Sequence, residues 1–188
     1  MAVTGLKIVT PSTPYEAKGL LKSAVREDNA VIYLYHKALI FGGIKGGIPE
    51  EEYTIPLGKA DVKREGSEVT IVATEPMVHR ALAAAAKLEE KGIGIEVVDP
   101  RTLVPLDKQA ILDSVKKTGK IVIMTEEPKT GSAAGEIASI VAEEGFDLLD
   151  TPIRRLCALD TPLPFSPVLE KAWIPDEEDL IKAVAEIT

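Results

Sequence analysis

From residue 68 to the end of the chain, short apolar runs alternate with amphipathic stretches, and that alternation admits few folds. "EVTIVAT" (68–74), "IGIEVVD" (93–99), "KIVIMT" (120–125) and "IRRLCAL" (153–159) read as strands. The stretches 76–92, 107–119, 132–146 and 176–187 read as helices. The first places Met77, Val78, Ala81, Leu82, Ala85 and Leu88 on one side and stops at Gly92, as a helix packed on a sheet does. The last begins with acidic residues, which suit the positive end of a helix dipole. The pattern predicts an α/β fold: a three-layer open sheet with helices on both faces. Aromatic residues are only 4% of the chain, so the core must rest on Val, Ile, Leu and Ala.

The first forty residues repeat the pattern once. "LKIV" (6–9) reads as a strand, and Thr13-Pro14-Tyr15-Glu16 as a helix start. Thr13 is placed to cap, Pro14 suits the first helical turn, and Glu16 completes a capping box. "AVIYLY" (30–35) is apolar on both faces, as a strand covered on both sides would be. This β-α-β unit implies parallel strands. One such unit cannot cover both faces of a sheet, so it belongs to something larger. "FGGIKGGIPEEEYTIPLGKA" (41–60) holds five glycines and two prolines and reads as a linker, with the domain boundary at residues 42–60. Gly42 to Gly47 is not a dinucleotide loop, because no helix follows it.

The net charge of −8 argues against nucleic acid as a partner. Residues 126–188 hold 14 acidic and 5 basic side chains, against 16 and 17 in residues 1–125, so the acidity sits in the last third. The one cysteine, Cys157, forms no internal disulfide and points to a reducing, cytoplasmic compartment. The first residues show no charged head followed by an apolar run, which argues against a signal peptide. No stretch approaches the roughly 18 apolar residues that span a bilayer.

Ligands of open α/β sheets collect at the carboxyl ends of the strands. In "VVDPRTLVPLD" (97–107), Asp99 and Arg101 either bind an anion or brace the loop, and loop ion pairs are the commoner arrangement. In "TEEPKTGSAAGEIA" (125–138), Gly131-Ser132 opens a helix whose amides could cradle a phosphate, but adjacent Glu126 and Glu127 favour a structural turn. The four prolines of "ALDTPLPFSPVLEKAWIP" (158–175) suit a segment wrapped outside the core. His79 falls on the polar side of its helix with Arg80 and Lys87, as a solvated residue would. His36 follows the buried strand, but spacing assigns it no Ser, Cys, Asp or Glu partner. Cys157 reads as a core thiol, and no Cys/His spacing suits a metal. The residues themselves assign no self-contained active site.

The ordered set "GLKIVTPSTPYEAKGLLKSAVREDN", "EEYTIPLGKADVKREGSEVTIVA", "MVHRALAAA", "VVDPRTLVPLD", "VKKTGKIVI", "EEPKTG" and "LDTPLPFSP" resembles the β-subunits of thiamine-diphosphate-dependent 2-oxoacid dehydrogenases. These are the decarboxylating first components of the pyruvate and branched-chain complexes. The resemblance runs over residues 5–187. It implies that residues 1–41 match the last β-α-β unit of a pyrimidine-binding domain, 42–60 a linker, and 61–188 a transketolase-type C-terminal domain. The family's cofactors are thiamine diphosphate and magnesium. Its activating glutamate and catalytic histidine belong to a part that precedes this match, so no catalytic or cofactor-binding residue is carried over, and the chain alone is expected to be inactive. A structural potassium ion of the family matches Ala24, Glu27 and Asn29, with Glu27 in place of an aspartate. The Asp-x-Arg-Thr motif matches Asp99, Arg101 and Thr102.

Several positions depart from the family's pattern. Tyr35 stands for a Glu before His36, Thr125 for a His before Glu126, Glu75-Pro76 for Gly-Ala, and Ala133 for an aromatic. The resemblance implies a homodimer, an α-subunit and the subunit-binding domain of the acyltransferase as partners. Glu170, Asp176, Glu177, Glu178 and Asp179 are the acidic candidates for docking that domain. The alternatives are a free-standing docking module without chemistry, or part of a transketolase-type or acetoin-cleaving enzyme.

Overall fold

The computed structural model describes every residue except Ala2, Gly43 and Lys45. The tail contributes β1 (Lys7–Val9), α1 (Pro14–Val25), β2 (Val31–Tyr33) and α2 (Lys37–Phe41). After the connecting segment come β3 (Asp61–Arg64), β4 (Val69–Ala73), α3 (Pro76–Glu89), β5 (Ile95–Asp99), β6 (Thr102–Val104) and α4 (Lys108–Thr118). Then follow β7 (Ile121–Pro128), α5 (Ala133–Glu144), a single 3-10 turn, β8 (Arg154–Ala158), α6 (Pro167–Trp173) and α7 (Glu177–Ala185). Gly43 and Lys45 fall inside the expected linker and the 42–47 glycine stretch, so that part of the reading lies outside the described residues.

The main sheet has the order β3-β5-β4-β7-β8. β5, β4, β7 and β8 are parallel, and β3 is an antiparallel edge strand. Strand alternation sorts the core onto two faces. Ile71, Ala73, Val97 and Met124 pack under α3 and α7 with Met77, Ala81, Leu88, Leu180 and Val184. Val72, Val98, Ile121 and Ile123 pack under α4 and α5 with Ile111, Val115, Ile137 and Val141. Such aliphatic side chains contribute roughly 1.5–3 kcal/mol each on burial. The expected three-layer α/β sheet is thus present, and the expected strands and helices from residue 68 all form. Among the described residues no helix is long and apolar enough to cross a membrane.

A second, three-stranded sheet has the order β2-β1-β6. β1 runs parallel to β2, as expected of the β-α-β unit, in the register Lys7↔Val31 to Val9↔Tyr33. Its other edge pairs antiparallel with β6, Ile8 opposite Val104 and Val9 opposite Thr102. The tail and the C-terminal region therefore share one hydrogen-bonded sheet.

Four local expectations change. The strand expected over 30–35 is only Val31–Tyr33 and is half-exposed rather than covered on both sides. α1 covers one face, with the Tyr33 hydroxyl donating to the Ala17 carbonyl at 2.7 Å, while Ile32, Leu34 and Tyr35 stay exposed. His36 then caps the short α2, its Nδ1 accepting from the Ala38 amide at 3.2 Å. The edge strands β3 and β6 were not expected, and both are too short for an apolar run to reveal. Finally, the proline-rich segment contains α6, and Trp173 turns inward, its Nε1–H donating to the Thr161 carbonyl and hydroxyl at 3.2 and 3.1 Å.

Candidate functional site

Charged side chains converge where α1, β3 and the β5–β6 turn meet. Glu16 is placed there by its own capping box: Thr13 Oγ1 accepts from the Glu16 amide at 3.2 Å, and Glu16 Oε2 accepts from the Ser12 and Thr13 amides at 3.0 and 3.1 Å. The carboxylate is fully buried. Its Oε1 accepts from Arg101 Nε at 2.7 Å and from Lys63. Asp61 lies on the same face of β3 as Lys63 and binds both cations, Arg101 at 2.7 Å and Lys63 at 2.8 Å. Burial alone would raise the Glu16 carboxyl, but Lys63, Arg101 and Ser12 outweigh it and hold it at about 2.

Asp99 and Arg101, expected either to bind an anion or to brace the loop, brace it. Asp99 is fully buried, and its Oδ1 accepts from the Arg101 amide at 2.9 Å. Arg101 holds a positive φ of 58° and spends its guanidinium on Glu16 and Asp61. A side chain held by two carboxylates is not presented to an external anion. Thr102, third in the matched motif, donates to the Pro105 carbonyl at 2.8 Å and accepts from the Gly58 amide at 3.0 Å. His79 is not solvated as expected: its Nε2 meets the Ser12 carbonyl at 2.7 Å, because α3 packs its first turns against the tail.

A second charged cluster lies at the carboxyl ends of β4 and β7. His36 finds the partner that spacing could not assign: Glu126, with Nε2 to Oε2 at 2.9 Å. The hydrogen bond that His36 donates to Glu126 raises the His36 pKa above the ordinary imidazole value despite partial burial. Glu75 stands beside this pair. Burial raises its carboxyl, with Glu126 and Glu127 adding to the rise and His36 opposing it. Its backbone, at φ 52° and ψ −126°, occupies a region that side chains strain to adopt. His36 also borders an apolar groove of about 500 Å³, walled by Pro11, Leu21, Tyr35, Leu39, Ile40 and Ile48.

The turn at 129–132 is held by carboxylates of the chain: Glu127 Oε2 accepts from the Ala133 amide at 2.9 Å, and Asp160 accepts from the amide and hydroxyl of Thr130, both at 2.8 Å. Cys157 is half-buried beside the α4/α5 core, its Sγ 3.6 Å from the Thr125 hydroxyl. Of the potassium candidates, Glu27 pairs with Lys7, and the Ala24 carbonyl accepts from the Glu27 amide at 3.3 Å; Asn29 is exposed. Of the acidic docking candidates, Asp176 and Asp179 form the reciprocal capping box of α7, and Lys87 of α3 pairs with Glu178 at 2.9 Å and Glu177 at 3.5 Å. Glu170 is half-buried on α6.

Sequence reasoning missed the Glu16 hub because the capping box already accounted for that residue. A signal was present in "DVKR", whose period-two alternation puts Asp61 and Lys63 on one face of a strand.

Residues 58–180 match the family model described as transketolase, C-terminal domain. The chain belongs to that family. It is 48% identical over 186 residues to the acetoin:2,6-dichlorophenolindophenol oxidoreductase subunit beta of Bacillus subtilis (strain 168), covering 99% of this chain and 54% of the relative. It is 47% identical over 184 residues to the 2-oxoisovalerate dehydrogenase subunit beta of the same organism, covering 97% and 56%. The pyruvate dehydrogenase β-subunit of that organism is 43% identical over 183 residues, with 97% and 56% covered. Among solved structures, one titled "Split gene transketolase, inactive beta4 tetramer" superposes with a TM-score of 0.79 at 25% identity, over 99% of this chain and 58% of that one. The relatives named are β-subunits of the kind that the sequence resembles. The chain spans about half the length of the curated relatives it matches and corresponds to their C-terminal portion.

Proposed function

We propose that the chain works as the C-terminal part of a β-subunit in a thiamine-diphosphate-dependent enzyme that cleaves a 2-oxo acid or acetoin and passes the acyl group to a lipoyl carrier. Its own part is assembly. The observation that supports this most directly is the continuity of β1 with β6: the likeness to β-subunits runs across tail and C-terminal domain alike, and one sheet joins the two.

The side chains of this chain do not fit the cofactor unaided. Among the described residues no group of three or more His, Cys, Asp or Glu converges as a metal-ion site, and the strand-end loops that would meet a diphosphate carry Glu75, Glu126 and Glu127. The cofactor chemistry is assigned to the remainder of the enzyme, while this chain holds the domain junction and presents surfaces to partners. Those partners are a second β-chain, the α-subunit and the subunit-binding domain of the acyltransferase, with the α7 acidic turn as the docking candidate for the last. Acetoin stands beside the 2-oxo acids as substrate because the acetoin relative is 48% identical to the chain over 186 residues.

Reconstitution tests this. The chain is mixed with an α-subunit, and with a polypeptide carrying the preceding half of a β-subunit. Reduction of 2,6-dichlorophenolindophenol is followed with acetoin, pyruvate and branched-chain 2-oxo acids. Turnover is expected only in the complete mixture. Turnover by the chain alone, or none in a mixture that assembles, would overturn the reading.

A further inference from the structure

Asp99 stands apart from every other carboxylate of the junction. Lys63 and Arg101 direct their hydrogen bonds to Glu16 and Asp61. Lys63 Nζ remains 3.8 Å from Asp99 Oδ2, too far to donate. Asp99 receives the Arg101 amide on Oδ1, and its Oδ2 lies 2.5 Å from Ser12 Oγ. That same Ser12 Oγ is 2.8 Å from Glu16 Oε2.

A serine hydroxyl carries one hydrogen. It cannot donate to two ionised carboxylates at once, and the second contact would set a lone pair against an anion at 2.5 Å. A proton on Asp99 completes the chain: Asp99 donates to Ser12 Oγ, and Ser12 Oγ donates to Glu16. Charge balance points the same way. With Asp99 neutral, Lys63 and Arg101 are matched by Glu16 and Asp61. With Asp99 ionised, the junction buries one uncompensated negative charge, which is costly in a poorly solvated site.

We propose that Asp99 holds a proton in the docked junction, and that its release as the pH rises loosens the Ser12–Glu16 turn from the β5–β6 corner. The fold thereby contains a pH-sensitive clamp between tail and C-terminal domain. The charged and titratable groups facing it are Glu16 of α1, Asp61 and Lys63 of β3, Arg101 of the β5–β6 turn, and His79 of α3, which reaches Ser12 through its carbonyl. Tyr33 of β2 lies in the field of Glu16. Burial first, and the charge of Glu16 second, push the Asp99 carboxyl up to about 7, against the contact with the Ser12 hydroxyl and the charge of Lys63. Because the folded value is the raised one, the stabilisation is complete below the ordinary carboxyl value of 3.8 and lost as the pH rises through about 7.

The test compares the full chain with Asp99→Asn, whose amide donates to Ser12 at every pH and still accepts from the Arg101 amide. Between about pH 4 and about pH 7, the folding constant of the parent is expected to fall tenfold more per pH unit than that of the variant, the effect of one extra bound proton. Protection factors of the Ser12 and Thr13 amides should fall as the pH rises from about 4, and level off above about pH 7, in the parent only. In infrared spectra, the protonated-carboxyl C=O band should fade across the same pH in the parent and in a Glu75→Gln control, and be missing from Asp99→Asn. Identical pH profiles for parent and variant would overturn the clamp. Should the variant not fold, the infrared and exchange measurements on the parent and on Glu75→Gln decide: a band that does not titrate, or protection that does not change, overturns it.

Discussion

Arg101 Nε lies 2.7 Å from Glu16 Oε1, across 85 residues of sequence. Glu16 completes the capping box of α1, and Arg101 turns the chain out of the central sheet. Their contact, with Lys63 beside it, fixes where the tail sits on the C-terminal domain. The contact holds α1 in register with the β5–β6 turn.

Replacing Glu16 with Gln should therefore be among the most damaging single changes outside the core. The carboxylate is fully buried, and its loss leaves Lys63 and Arg101 short of a counter-charge. A cost of about 3 kcal/mol is expected from breaking such a buried pair, read by urea denaturation at neutral pH. The pH dependence has a definite sign. Glu16 is held at about 2 in the folded state against 4.5. Its contribution is therefore present above about 4.5 and lost as the pH falls towards 2, and Glu16→Gln should flatten acid unfolding in that window.

His36 should remain protonated to a higher pH than a free imidazole, because Glu126 accepts from it. The sign is opposite to that of Glu16: this stabilisation is complete below about 6.5 and lost as the pH rises through the raised value. Both groups are partly solvated, so under about 1 kcal/mol is at stake. The chain has two histidines, so proton NMR resolves the His36 titration. Glu126→Gln should return His36 towards the ordinary range. Equal titration curves for His36 in parent and variant would show that the pair does not form.

Glu75→Gly should stabilise the protein. A φ of 52° with ψ −126° costs a residue with a side chain about 1–3 kcal/mol, and glycine removes that strain along with a buried carboxyl. The added freedom of the unfolded chain takes back roughly 0.5–1 kcal/mol. A net gain of about 1 kcal/mol corresponds to a rise in Tm of roughly 2–4 °C for a chain of this size. The family resemblance, which places Gly-Ala where this chain has Glu75-Pro76, agrees with the backbone. Calorimetry showing an unchanged or lower Tm would refute the strain.

The elements legible in the sequence were those whose pattern is dictated by burial on both sides. β4, β5 and β7 are continuous aliphatic runs because helices cover both faces, and α3 and α4 show clean stripes and glycine stops; Gly119 closes α4 at φ 69°. β3 and β6 escaped because edge strands need no apolar run, and α6 because prolines mask a short helix held by Trp173. Asp99 and Arg101 were legible as a pair, but their partners Glu16, Asp61 and Lys63 were not. Contacts across 47 and 85 residues leave no local spacing to read. His36 and Glu126 were each visible alone, and only the fold brings them together.

Gly19 is another position where the sequence says less than the packing. It lies inside α1, where alanine would ordinarily add about 1 kcal/mol. Here a Cβ would fall 2.6 Å from Ile55 Cγ1 and 2.8 Å from Tyr53 Cε2. The segment cannot readily move aside, since the Ile55 amide donates to the Gly19 carbonyl at 3.2 Å and Ser23 Oγ donates to the Ile55 carbonyl at 2.6 Å. Gly19→Ala should destabilise by about 1–3 kcal/mol through overpacking and make residues 53–57 the first site of limited proteolysis. Parent-like stability and cleavage would mean that the segment yields freely.

The last prediction concerns self-association. Leu159, Leu163, Phe165, Val168 and Leu169 are all exposed, Phe165 completely. They fall on one proline-rich segment and the first turn of α6, and Trp173, hydrogen-bonded to Thr161, pins that segment to the body. A large apolar cluster on a pinned segment marks a contact surface, because solvation of so many aliphatic and aromatic groups is unfavourable and the segment is already ordered for binding. None of these side chains is part of a core cluster, so polar replacements should leave the fold intact. The parent chain is expected to sediment as a dimer or larger species at micromolar concentration. Phe165→Ser with Leu169→Ser is expected to sediment as a monomer with the parent's Tm. A monomeric parent would overturn the prediction, and a double variant that still self-associates would move the interface away from α6, with the exposed Leu34, Ile40 and Phe41 of the tail as the next apolar surface to test by the same measurement.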